Sequence, residues 1–317
     1  MSHTTTPVLC LLGVVFLLTS VTLVIKYVFQ HSDVQPMNLA SVRVAIGFVL
    51  LSAMTLLWDW RGLLSLTPGD VMKLTLVRIL GVFSYAIAAC GLMHTSVTHY
   101  AVIYSLLPSM TATLSVLMGR EQLGATKVAG ITMSLAGCLI AISGETMAFE
   151  TAVGVGDALV LLFTLMMSAH IVYSAGIVKR FGVMVANTVM FGTSALVLFA
   201  GSWQWVEPQH ADLSPLVILS VVYIGIATAG VFLLRYRALQ ALPPATVGTY
   251  HNLIPICTIL SAGLFLGEPI GLATIIGSGT VVAGAELVRR AQLPQWVVTP
   301  PLIKWACRLA ISARPSR

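Results

Sequence analysis

Charge is what this chain has least of. Only 9% of its 317 residues are Asp, Glu, Lys or Arg and 57% are hydrophobic, whereas an ordinary soluble domain carries roughly 25% charged residues. Such a chain cannot cover itself with a wettable surface, and it belongs in a bilayer. Cysteine is sparse as well. Cys10, Cys90, Cys138, Cys257 and Cys307 form no CxxC pair, and four of them lie in apolar runs, where they act as small hydrophobes. Neither a disulfide frame nor a metal site is indicated. No HExxH, paired mid-membrane carboxylates, Cys/His cluster or Gly-rich phosphate loop is present, which leaves a membrane enzyme without its reacting groups. No filter-like loop or charged ring suggests a channel. The net charge of +6 is spread singly and in pairs between apolar stretches, the habit of membrane loops rather than of nucleic-acid binders.

What remains is length without charge. Apolar stretches of about 20 residues, enough to cross a bilayer, fall at 7–30, 36–58, 74–94, 97–119, 125–143, 155–177, 184–203, 214–235, 244–266 and 270–288. Thr67-Pro68 and Ser214-Pro215 place a capping oxygen before a proline that suits the first helical position. The first run continues from Pro7 past Val24 with no Lys or Arg before it, so it reads as a retained helix rather than a cleavable signal. Cytoplasmic loops concentrate Lys and Arg. With the N-terminus inside, fourteen fall there: Arg61, Lys73, Arg120, Lys127, Lys179, Arg180, Arg235, Arg237, Arg289, Arg290, Lys304, Arg308, Arg314 and Arg317. Lys26 alone stands outside. The orientation expected is N-in and C-in in an inner or plasma membrane.

The chain also repeats itself. A shift of 147 residues lays Pro108 on Pro255, Glu121 on Glu268, and Gly124, Gly130 and Gly137 on Gly271, Gly277 and Gly284, with Leu92 and Leu106 on Leu239 and Leu253. Five spans in each half is an odd number, so the halves take opposite orientations, the plan of secondary transporters with a midplane site. Both prolines stand eleven residues into their spans. Each frees a carbonyl, that of Tyr104 or that of His251, which hydrocarbon cannot satisfy. Pro108 and Pro255 are therefore candidate hinges, and inherited packing kinks are the alternative. The seven-residue glycine spacings in spans five and ten read as close helix contacts.

"PMNLASVRVAIGFVLL", with Pro36 and Arg43, resembles helix 2 of EamA-type members of the drug/metabolite transporter superfamily. "GLMHTSVTHYAVIYSLLP" through "GREQLGATKVAGITMSLAGCLIA" is similar to that family's helix-4 and helix-5 block, and 239–288 repeats it. The resemblance covers about 7–288. It implies ten helices, inverted five-helix halves, a central cavity and, commonly, export of amino acids or other small metabolites. One stretch departs: where helix 1 often carries a Trp-small pair ahead of a lysine resembling Lys26, this chain reads Leu18-Thr19-Ser20.

Polar groups inside spans are functional candidates. Arg43 is roughly 10 Å deep at 1.5 Å per residue; it either faces inward, as support or as an anion's partner, or snorkels. Arg78, nearer its span end, reads as snorkelling, and Glu286 as locally paired with Arg289 and Arg290. His170 in span six is a neutral histidine bonded to another helix, or a ligand or proton group. His251 and Asn252 adjoin the carbonyl freed by Pro255. Tyr104 is the counterpart of His251, Ser105 follows it, and Tyr100, Tyr104 and Pro108 share a helix face. Aromatic and polar groups of this kind suit a zwitterionic or aromatic solute. Trp58, Trp60, Trp203 and Trp205 read as interfacial anchors, and 302–313 as a short helix on the anionic cytoplasmic leaflet.

The expectation is an all-α membrane protein of ten transmembrane helices, two inverted five-helix repeats around a central cavity. Residues 1–6 form a cytoplasmic N-terminus, 7–143 the first repeat, 144–154 an external linker, 155–288 the second repeat and 289–317 a basic cytoplasmic tail. A solute carrier, foremost for amino-acid-like export, is the leading reading. Carriage of drugs, nucleobases or other metabolites, and a scaffold or sensor that transports nothing, are the alternatives. The partners implied are a small-molecule solute and lipid, a homodimer being compatible, with no cofactor.

Overall fold

The computed structural model describes residues 5–119, 124–143, 154–202, 214–241, 250 and 253–292. The described residues form helices and no strand. In order these are α1 (Thr5–His31), α2 (Pro36–Trp58), α3 (Trp60–Leu64), α4 (Pro68–Val82), α5 (Ser84–His94), α6 (Val97–Tyr104), α7 (Leu107–Leu117), α8 (Ala125–Ser143), α9 (Val155–Phe181), α10 (Val183–Ser202), α11 (Pro215–Ala241), α12 (Leu253–Leu266) and α13 (Leu272–Gln292). Among the described residues nine stretches are long and apolar enough to cross a membrane, with α4–α5 and α6–α7 each making one, and α12 is a shorter apolar helix. Residues 244–249, 251 and 252 of the expected ninth span lie outside the described residues, as do Glu121, Trp203, Trp205 and the tail beyond Gln292. Large apolar side chains such as Leu117, Leu264 and Phe265 stand exposed around the bundle, the surface an integral membrane protein offers to lipid.

Local chemistry explains the helix ends. Thr67 Oγ1 accepts from Asp70 N at 3.2 Å and the Asp70 carboxylate accepts from Thr67 N at 3.2 Å, a reciprocal cap ahead of Pro68. Ser214 Oγ accepts from Val217 N at 3.3 Å, and Ser96 Oγ caps His99 N at 3.0 Å. The fourth expected span is broken. α6 stops at Tyr104, and Pro108 is the second residue of α7, where its missing N–H leaves no bond unmade. Leu106 N turns to Ile103 O at 3.1 Å, and the Ser105 hydroxyl donates to Val102 O at 2.5 Å.

Helices interleave across the two halves of the chain. α1 lies on α11 and α12, α9 on α4 to α7, α2 on α10 and α11, and α6 on α12. The most extensive contact is α8 against α13. A Cβ on Gly137 would sit 2.7 Å from Gly277 O, and one on Gly284 would sit 2.6 Å from Gly130 O. Under the 147-residue shift the two contacts exchange into each other, as across an isologous interface. Ser134 Oγ donates to Val281 O, its own counterpart, at 3.3 Å. The glycine spacings read from the sequence are packing surfaces.

One end of the bundle is tied shut by side chains. The Glu268 carboxylate accepts from Val97 N at 2.7 Å, Thr98 N at 2.9 Å and Thr98 Oγ1 at 2.7 Å, a negative group on the positive end of α6. Asp157 accepts from Thr95 Oγ1 and faces His99 Nδ1 at 3.2 Å. Lys26 Nζ donates to Leu92 O at 3.0 Å and Thr95 O at 2.5 Å. The turn between α5 and α6 is therefore gripped by acids from the second half and a lysine from α1.

Two outcomes follow for unfolding in detergent. Gly277→Leu lowers stability by about 1–3 kcal/mol through overpacking, while Gly279→Ala, where an added Cβ meets nothing within 4 Å, changes it by no more than about 0.5 kcal/mol. Glu268→Ala strips three donors of a charged acceptor and lowers stability by about 1–3 kcal/mol, read by denaturant titration; an unchanged midpoint would refute the latch.

Candidate functional site

Beneath that closed end lies a cavity of about 340 Å³, toward the small end of the roughly 300–1,000 Å³ typical of small-molecule sites. It is lined from α1, α2, α4 to α7 and α9 to α12, while α8 and α13 contribute nothing to the wall. Ile25 and Leu92 lie at the tied end, and Val183 and Arg235 extend the wall toward the other.

One wall is aromatic. Tyr100 and Tyr104, one turn apart on α6, stack at 6.1 Å between centroids, and Phe163 from α9 lies 6.1 Å from Tyr100 and 5.5 Å from Tyr104. All three line the cavity. The pairing of Tyr100 and Tyr104 on one face follows from their four-residue spacing; Phe163 carries no signal in sequence that would single it out.

The wall is also cationic. Arg43 Nε donates to Thr228 Oγ1 of α11 at 2.8 Å, and its Cζ lies 4.9 Å from the Tyr85 ring centroid. Arg43 therefore faces inward, and snorkelling is set aside. Arg78 corrects the sequence reading more strongly. It is 3% exposed rather than snorkelling, its Nε donates to Ser194 Oγ at 2.5 Å, and Tyr85 and Phe191 flank it at 5.2 and 5.7 Å. Arg235, counted with the cytoplasmic loops in sequence, also lines the cavity. Both were findable in principle, since a cation inside or at the edge of a span defaults to a functional hypothesis.

The remaining candidates divide. His170 lines the cavity, with Nδ1 3.4 Å from Val77 O. Pro255 is buried and lines it, whereas Pro108 does not appear in the wall. Ser105 is buried outside the wall with its hydroxyl spent on the backbone. His251 and Asn252 lie outside the described residues. In the stretch that departs from the helix-1 pattern, Leu18 lines the cavity, Thr258 Oγ1 donates to Thr19 Oγ1 at 3.4 Å, and Ser20 Oγ shares a hydrogen with Tyr223 OH at 2.6 Å. Lys26 serves the latch. Asn187 was not singled out in sequence; it lines the cavity while its amide donates to Val183 O at 2.7 Å.

Among the described residues no cluster of His, Cys, Asp and Glu could hold a metal ion. The arrangement can surround a small solute and hold it by aromatic faces, hydroxyls and guanidinium donors.

Comparison with known proteins agrees in kind. The chain is 26% identical over 273 residues to an uncharacterized transporter of Archaeoglobus fulgidus, covering 84% of this chain and 92% of that one. It is 26% identical over 265 residues to the uncharacterized transporter YetK of Bacillus subtilis, covering 78% and 77%. A crystal structure superposes with a TM-score of 0.61 over 90% of this chain and 99% of the other at 18% identity, a likeness of fold. The EamA-like transporter family matches twice, at residues 5–143 and again at 154–290. An apolar helical bundle enclosing a solute-sized cavity, with both halves matched by one transporter family, is an integral membrane protein of the EamA-like transporter family.

Proposed function

We propose that the protein is a secondary transporter that moves small organic metabolites, amino-acid-like solutes foremost, outward across the membrane by alternating access between two inverted five-helix halves. The observation that carries this reading is the cavity itself, walled by helices from both halves and tied at one end only by side chains. Side-chain ties of this kind can be exchanged without unfolding a helix, which is what a rocking carrier requires.

Several features support ten helices in two inverted units. The family matches twice. The contacts of Gly130 with Gly284 and of Gly137 with Gly277 exchange under the 147-residue shift, as a pseudo-two-fold axis between α8 and α13 demands. α1 and its counterpart α9 each pack on the opposite half. The Lys and Arg distribution supports an N-in, C-in orientation. That orientation makes the Lys26, Asp157 and Glu268 latch external and turns the cavity toward the cytoplasm, the state in which an exporter loads. The break at Ser105 and Leu106 ahead of Pro108 supplies a hinge, with Pro255 as its partner in the wall. The basic tail rests on the anionic inner leaflet.

Counterflow in proteoliposomes tests the reading. Vesicles preloaded with unlabelled amino acids, nucleobases or organic acids in turn take up the matching labelled solute in a saturable way. Tyr104→Ala, which removes one ring of the stack, lowers the uptake rate about tenfold or more, and His251→Ala lowers it as well. Absence of exchange for every solute by folded protein would leave a scaffold or sensor in its place.

A further inference from the structure

The three arginines are the least economical feature of this interior. Arg43, Arg78 and Arg235 share one cavity, and no carboxylate is present among the described residues that line it. Guanidinium groups stay protonated in proteins, so the wall holds three positive charges. The neighbours of Arg43 and Arg78 are the hydroxyls of Thr228, Ser194 and Tyr85 and the rings of Tyr85 and Phe191. These orient the cations without cancelling their charge. Arg78 goes further: it is 3% exposed, and its Nη2 is buried with no hydrogen-bond partner. A buried donor left unmade is costly, and a buried charge left uncompensated more so. Four acids outside the wall have partners of their own. Asp70 faces Arg180 at 3.5 Å, Asp157 faces His99 at 3.2 Å, Glu286 pairs with Arg289 and Arg290 at 2.6 and 2.9 Å, and Glu268 accepts from Val97 N at 2.7 Å.

We infer that the carried solute is a small organic anion whose carboxylate enters between Arg43, Arg78 and Arg235, its apolar or aromatic body resting on the stacked rings of Tyr100, Tyr104 and Phe163. This rests on the carrier reading above and narrows it. Carboxylate and guanidinium match in plane and can bond in pairs, and the anion gives Arg78 Nη2 its missing acceptor. No carboxylate among the described lining residues offers an ammonium group a counter-charge, so the wall favours anions over organic cations. Among amino-acid-like solutes the wall selects those of net negative charge. The same charge supplies a driving force. A monovalent anion leaving a negative-inside compartment gains a factor of about 50 in its distribution at 100 mV, so export needs neither a coupling ion nor a proton-relay carboxylate.

The experiment uses matched acids, amides and amines: phenylacetate, phenylacetamide and phenethylamine, with succinate and succinamide. Purified protein is followed by its thermal unfolding midpoint with each compound, and proteoliposomes by exchange of the same compounds under valinomycin-set potassium potentials. The acids are expected to raise the midpoint and to exchange, and the amides and the amine to do neither. Arg78→Gln and Arg43→Gln should each weaken apparent acid affinity about tenfold or more, with Arg78→Lys, which keeps the charge, intermediate. An inside-negative potential should speed acid efflux several-fold. Acid binding without exchange would uphold the anion site and sink the carrier reading. Exchange of amides or the amine as readily as acids would overturn the anion class and leave a carrier standing. Binding of no acid, or acid binding untouched by the arginine substitutions, would overturn the inference.

Discussion

Backbone amide and carbonyl groups inside hydrocarbon must be bonded within the protein, because lipid offers them nothing. Most features of this structure answer to that constraint. It accounts for the helices, and it dictates where they may be interrupted. The break between α6 and α7 lies inside the bundle, where Ser105 and Leu106 bond back to Ala101 and Ile103. At the turn between α5 and α6 the helix-end donors of Val97 and Thr98 are taken by Glu268, and the carbonyls of Leu92 and Thr95 by Lys26. The groups that satisfy the turn come from other helices, so satisfying the backbone also ties the bundle shut at that end.

Cohesion between helices cannot come from burying apolar surface, since lipid tails are as apolar as leucine. It comes from close approach. α8 and α13 meet through Gly130, Gly137, Gly277 and Gly284, where backbone lies against backbone. Those two helices stand outside the cavity wall, so they join the halves without narrowing the cavity. The cavity wall follows the opposite logic, with large rings and long cationic side chains from α2, α4 to α6 and α9 to α11 bordering the space.

In the cavity, electrostatics and packing act together. Tyr85 lies against both Arg43 and Arg78, so one ring positions two cations while leaving their charge intact. Hydroxyls on α10 and α11 fix each Nε, and Arg78 Nη2 is left without a hydrogen-bond partner. An interior organised in this way gathers positive charge beside aromatic faces.

The sequence by itself determined the membrane class, where most of the apolar spans lie and the recurrence of its prolines and glycines at 147 residues, because length without charge and repeated residues are properties of the chain alone. α2 and α8 begin at the expected residues 36 and 125. It also marked Arg43, Tyr100, Tyr104 and His170, each an anomaly within an apolar run. Only the tertiary structure decided which way those groups face. A span apolar all round carries no periodic stripe to orient it, so Arg78 and Arg235 could be assigned to the lipid edge and the loops when both line the cavity, and Ser105 could be counted with the site when its hydroxyl serves the backbone. The role of Glu268 was equally hidden. Its recurrence was visible as a pattern, but a carboxylate on the end of a helix 170 residues away in the chain exists only once that helix has been brought to it.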